Sequence, residues 1–158
     1  MSATEPVLVI GVGNRMRGDD GAGPAVLDRL GEMQMADVEM IEVATDCAGL
    51  IDMWRGRADV IVVDATQSGA EPGEIVTIDA LAQPIERDLF IHTSHVFGVA
   101  EAVETARMID ALPGRLTVYG IEGAAFGLGD GLTPSVAESA KRVAAMIGGS
   151  NRVPLKSD

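Results

Sequence analysis

The sequence has a single cysteine, Cys47, in 158 residues. An internal disulfide and a cysteine-based zinc cluster are therefore both excluded. Positive charge is scarce as well: 12 lysines and arginines stand against 24 aspartates and glutamates, a formal net charge of −12. Nucleic acid and an anionic membrane surface would each meet a like-charged protein, so neither is an expected partner. Although 47% of the residues are hydrophobic, no run approaches the roughly 18 consecutive apolar residues of a membrane span. The first nine residues lack the basic and apolar regions of a signal peptide, and a cytoplasmic location is expected. Internal repeats, low-complexity tracts and an interdomain linker are also missing.

What is present is one domain by length, 1–158, with a core over 7–148 and a flexible tail over 149–158. A domain of this size buries roughly 68–70% of its unfolded surface, so a sizeable core is available. The chain is organised around Val7 to Gly23, VLVIGVGNRMRGDDGAG. Its branched apolar start suits a strand buried on both faces, and Gly11 and Gly13 let the backbone turn where side chains would collide. A loop with two cations follows, then Asp19 and Asp20 side by side, then Gly21, Gly23 and Pro24 leading into a helix. Two glycine motifs fail here. A dinucleotide fingerprint needs glycine where Met16 stands, and a phosphate-binding P-loop needs a lysine and a hydroxyl where Asp19 and Asp20 stand. The remaining reading is a glycine-framed acidic loop suited to a cation, or one whose Asp20 caps the following helix.

Ala22, Val26, Leu27 and Leu30 follow helical spacing, and Val38 to Val43 alternates as a strand, which completes a β-α-β unit. Cys47 to Arg55 reads as a short helix with Leu50, Ile51 and Trp54 on one side. Asp59 to Asp64, DVIVVD, is a second near-continuous apolar strand that ends on a carboxylate. The link from Gln67 to Gly73 is too short for a crossover helix, so the next strand, Glu74 to Ile78, is expected to run antiparallel. Ala80 to Leu89 is ambiguous because Pro84 interrupts it. Val96, Val99, Ala100, Val103, Ala106 and Ile109 form a helical stripe, with Thr93 or Ser94 as cap and Pro113 and Gly114 as terminator. Leu116 to Ile121 is the last strand, Glu122 to Gly131 a glycine-rich loop, and Thr133 with Pro134 opens the last helix. The whole reads as a compact three-layer α/β domain.

Three residues with metal-binding capacity fall where strands end or helices begin: Asp20, Asp64 and His95. In an open α/β sheet that rim is where ligands bind. Two carboxylates and one imidazole suit nickel, zinc, manganese or iron, and three protein ligands leave open positions. Each also has a plainer role: Asp64 as a strand stop, His92 and His95 as loop histidines bonding carbonyls. Asp19 and Asp46 are reserve ligands. Cys47 lacks a neighbouring base and reads as a small buried hydrophobe rather than a nucleophile.

GVGNRMRGDDGAG after the first strand, VDATQSGAEPGEI at the third, HTSH before the long helix and GLTPSV at the last helix together resemble the maturation endopeptidases of nickel-iron hydrogenases. The likeness runs from about Val7 to Ile147, with the motifs in order. It implies a mixed five-stranded sheet of order 2-1-3-5-4 with strand 4 antiparallel, and an endopeptidase that removes the C-terminal extension of a hydrogenase large-subunit precursor after nickel insertion. It further implies that Asp20, Asp64 and His95, the candidate catalytic residues, contact the nickel, which the substrate supplies. The sparse, thiolate-free ligand set itself suggests weak binding of free metal, so an empty protein is expected on isolation. A monomer is expected. Relatives often carry a glycine pair and a hydroxyl residue after the second strand, where this chain has Ala44-Thr45-Asp46-Cys47-Ala48-Gly49, so contacts from that loop do not transfer. Two other readings use the same acidic crevice: a non-enzymatic nickel-handling or precursor-binding chaperone, and, by fold analogy, a metal-dependent hydrolase of small substrates.

Overall fold

A computed structural model of the chain describes residues 5–44, 46–86, 89–90 and 97–149. Its centre is a five-stranded sheet of order β2-β1-β3-β5-β4, formed by β1 (Val7–Val12), β2 (Val38–Val43), β3 (Val60–Thr66), β4 (Ile75–Asp79) and β5 (Leu116–Glu122). The first three strands and β5 run parallel, with Val7 opposite Val38, Leu8 opposite Val60 and Val60 opposite Leu116. β4 is antiparallel to β5, as the short link before it predicts. Every residue of the central strand β3 is buried, whereas the edge strand β2 is only partly covered. That difference matches VIVVDAT, apolar through its first four residues, against VEMIEV, which alternates with glutamates.

Helices cover both faces. Alternation along the strands sends Leu8, Ile10, Val60, Val62, Leu116 and Val118 to the side of α2 (Leu50–Trp54) and α3 (Val99–Met108). Val9, Ile61, Val63, Tyr119 and Ile121 point the other way, against α1 (Ala22–Glu32) and α4 (Pro134–Gly148). Trp54 fills the first layer and satisfies its indole N–H on the Ala111 carbonyl at 3.1 Å. α1 packs backbone-close at the ends of β1 and β3: a Cβ on Gly23 would lie 2.5 Å from the Val12 carbonyl oxygen and 2.6 Å from that of Val63. Only glycine permits that approach. Among the described residues no helix is long and apolar enough to cross a membrane.

Local details differ from the sequence reading. β3 continues past Asp64 to Thr66, because Ala65 and Thr66 still pair with Ile121 and Glu122 of β5. α3 starts at Val99, capped at Gly98, whose amide donates to Glu101 Oε1 at 3.0 Å, rather than at Thr93 or Ser94. Those two residues and Val96 lie outside the described residues. Ile109 falls beyond α3 and is 54% exposed, so the buried stripe is Val99, Ala100, Ala102, Val103 and Ala106. The described part of the ambiguous stretch, Ala80 to Glu86, forms turns and irregular chain, with Ala80 and Ile85 buried. Of the tail over 149–158, only Gly149 is described.

Candidate active site

The site grows from the carboxyl end of β1. Gly13 has φ +146°, and a Cβ there would collide with the Asp20 carbonyl. The chain then folds back through a 3-10 turn, Gly18–Gly21, which carries Asp19 and Asp20 into α1. Asp20 does not cap that helix: Gly21 holds the cap position without a side-chain bond. The Asn14 amide instead donates to Asp20 Oδ2 at 2.9 Å. Burial raises the Asp20 pKa, against the Asn14 bond and the charge of the exposed Arg17. The other cation of the loop, Arg15, is forked between Asp28 at 2.7 Å and Glu42 at 2.8 Å.

Asp64 is supplied by β3. The β1 ladder against this strand ends at Gly11 opposite Val63, so Asp64 is the first residue beyond it. It is 9% exposed, and among the described residues its Oδ1 accepts the neighbouring Ala65 amide, at 2.8 Å. Burial pushes its pKa well above the carboxylate range, and the negative charge of Asp20 pushes it further. The structure therefore brings Asp20 and Asp64 within electrostatic reach of each other, from positions 44 residues apart in the chain (64 − 20).

Cys47 lies within electrostatic reach of Asp64 and of Glu101 in α3. The Cys47 amide donates to the Phe97 carbonyl at 2.8 Å. Burial, then the charges of Asp64, Asp46 and Glu101, push the Cys47 thiol up to about 12. A thiol so protonated is no nucleophile at neutral pH, in keeping with its reading as a buried hydrophobe. His95 lies outside the described residues, as does His92. Among the described residues no group of three or more histidine, cysteine, aspartate or glutamate side chains could hold a metal ion.

The reserve ligands are engaged elsewhere. Asp46 Oδ1 accepts the Ala48 amide at 3.0 Å in a local turn. Asp19 is fully buried and turned to the glycine-rich segment, where it binds the amides of Ala124, Ala125 and Thr133 and the Thr133 hydroxyl. Thr133 thus occupies the cap position of α4 while its hydroxyl serves Asp19 rather than the helix. Glu122 escaped sequence reasoning altogether. Buried at the end of β5, it accepts Thr66 Oγ1 at 2.6 Å, Ser68 Oγ at 2.8 Å, and the amides of Ser68 and Gly69 at 3.0 and 3.2 Å.

Chemically, a divalent ion between these two carboxyls would offset the repulsion that Asp20 exerts on Asp64 and would compete with the proton held there. The same crevice would reject an anionic ligand.

The family model of the hydrogenase maturation protease HycI matches residues 24–150. The chain belongs to the hydrogenase maturation protease family. The matched span contains Asp64 and His95 and begins just after the turn that carries Asp20. Among curated relatives of this protease family, the hydrogenase expression/formation protein HupD of Rhodobacter capsulatus is 29% identical over 120 residues, covering 75% of this chain and 57% of HupD. The chain thus spans little more than half the length of that relative. Two solved structures share the fold. The maturation protease HycI of Thermococcus kodakarensis superposes with a TM-score of 0.66 at 23% identity, over 93% of this chain and 92% of its own. The maturating endopeptidase HybD of Escherichia coli gives 0.68 at 24%, over 91% and 94%. The sheet order and the antiparallel β4 are those expected for this family.

Proposed function

We propose that this maturation protease is a cytoplasmic, monomeric endopeptidase that removes the C-terminal extension of a nickel-loaded hydrogenase large-subunit precursor. Asp20, Asp64 and His95 dock on the nickel, which arrives as part of the substrate. The observation that carries this reading is the pairing of Asp20 with Asp64: two acids from separate elements lie within electrostatic reach, Asp20 with its pKa raised by burial and Asp64 with its pKa raised well above the carboxylate range by burial and by the charge of Asp20. A nickel ion already ligated by the precursor offers open positions to these side chains, and its docking fixes the adjoining peptide against the protease. Cleavage then adds water across one peptide bond, the hydroxyl going to the carbonyl carbon and a proton to the departing amine. The buried, protonated Cys47 does not supply a competing nucleophile.

The test is processing of nickel-loaded precursor by Asp20→Ala and His95→Ala, read as loss of mass from the precursor. Each variant is expected to lose processing at least a hundredfold with an unchanged circular dichroism spectrum. Full processing by both contradicts the assignment. Binding by the unaltered protein without any change in precursor mass would instead identify a carrier.

A further inference from the structure

Asp19 has no part in the chemistry above, yet one side chain gathers polar groups from a segment more than a hundred residues away. Its Oδ2 accepts the amides of Ala124 at 2.8 Å and Ala125 at 3.0 Å, and its Oδ1 accepts that of Thr133 at 2.7 Å. The Thr133 hydroxyl lies 2.9 Å from Oδ2 and 3.1 Å from Oδ1. In the other direction the Asp19 amide donates to the Ala125 carbonyl at 2.8 Å. Backbones close on one another around this knot. Gly18 has φ +56°, and a Cβ there would stand 2.5 Å from the Ala125 oxygen, while one on Gly123 would stand 3.0 Å from the Asp19 Cβ.

The anion suits its place. It binds the amide and hydroxyl of Thr133, the N-cap residue of α4, at the helix end where the dipole favours negative charge. Burial alone would raise its pKa, but the bonds from Thr133, Ala124 and Ala125 hold it below the usual carboxylate range.

A 3-10 turn has three residues per turn, so successive side chains leave it about 120° apart. Asp19 and Asp20 are successive residues of the turn Gly18–Gly21. If the first is pinned to the segment before α4, the direction of the second is set as well, and in that direction Asp20 Oδ2 accepts the Asn14 amide at 2.9 Å. We infer that Asp19 is the positioning residue of Asp20: by locking the turn to Ala124, Ala125 and Thr133, it aims the Asp20 carboxylate into the crevice. The functional part of this inference rests on the proposed role of Asp20; the structural part does not.

The experiment compares the full chain with Asp19→Asn, Thr133→Val, Thr133→Ser and Glu122→Gln. Glu122→Gln is the control, since it loosens another buried, many-bonded carboxylate that anchors Ser68 and Gly69 rather than the Asp20 turn. Two readouts are taken: hydrogen exchange at the Asn14 amide, which touches Asp20 and not Asp19, and kcat/KM for nickel-loaded precursor. Asp19→Asn should speed Asn14 exchange at least tenfold beyond the change at β3 amides and lower kcat/KM at least tenfold. Thr133→Val should follow in the same direction, Thr133→Ser should restore both, and Glu122→Gln should leave Asn14 exchange in step with the β3 amides. Unchanged Asn14 protection in Asp19→Asn, or an equal loss of processing in Asp19→Asn and Glu122→Gln, would overturn the inference. If the unaltered protein does not cleave precursor at all, the endopeptidase reading fails, and the Asn14 exchange still decides whether Asp19 orients Asp20.

Discussion

Asp64 is buried within electrostatic reach of Asp20, so that desolvation first and the neighbouring charge second raise its pKa well above the carboxylate range. Removing the neighbour isolates the smaller of these causes. Asp20→Asn should lower the Asp64 pKa while leaving it above an ordinary aspartate, since burial persists. Carboxyl NMR titration measures this; an Asp64 pKa unmoved by the substitution would show that the two acids do not interact.

The same shifts give processing an acidic limb. Asp20 and Asp64 both have raised pKa values, so both hold protons to higher pH than ordinary aspartates and must release them to accept nickel. Docking of nickel-loaded precursor should strengthen as pH rises through these values and fail below them. The check is kcat/KM for the loaded precursor across pH; activity undiminished at pH 4 would contradict it.

Stability should move in the opposite sense at Asp64. An acid whose native pKa is raised contributes most to the folded state below its unfolded pKa, and the contribution is lost as pH rises through the native value. Asparagine imitates the protonated acid at every pH. Asp64→Asn should therefore melt higher than the parent at pH 7, by about 2–4 °C for each kcal/mol gained. The advantage should shrink toward acid pH while processing is abolished. Calorimetry at both pH values decides it, and a lower Tm at pH 7 would be the contrary result.

Glu122 has the reverse sign. Burial would raise its pKa, but the hydroxyls of Thr66 and Ser68 and the amides of Ser68 and Gly69 hold it below the usual range. Its contribution is present above the unfolded pKa and disappears as pH falls through the native one. Glu122→Gln should lose about 2 kcal/mol of stability at pH 7, the scale of hydrogen bonds to a charged group. Denaturant melts should show the difference between variant and parent closing in acid.

Cys47 should be inert. With its thiol buried and pushed up to about 12, it should resist thiol reagents at pH 8 in the folded protein and react on unfolding. Cys47→Ala should keep processing activity and lose about 1 kcal/mol of stability. Rapid labelling of the native protein would contradict the burial.

Much of this architecture is legible in short windows of sequence. The apolar runs of β1 and β3, the helical spacing of Ala22 to Leu30 and the Thr133-Pro134 start of α4 are local signals, and the structure reproduces them. Local reading also brings Asp20 toward Asp64, because the β-α-β-α-β order makes the two apolar strands β1 and β3 neighbours. It misplaces the start of α3, because Gly98 is also an acceptable cap and its amide is taken by Glu101 within the first turn. It names Asp19 only as a reserve ligand and passes over Glu122. Their partners lie 114 residues away at Thr133 and 56 away at Thr66, and no periodicity links such positions. A carboxylate that gathers distant amides looks, in the sequence, like any other charged residue beside a glycine or at a strand end.

The central claim is that the crevice recognises nickel held by the substrate, and its most direct test is a mass measurement. The full chain is incubated with nickel-loaded and nickel-free hydrogenase large-subunit precursor, and the products are weighed. The loaded form alone should lose its C-terminal extension. Equal cleavage of both forms, or an unchanged mass for the loaded one, would contradict it.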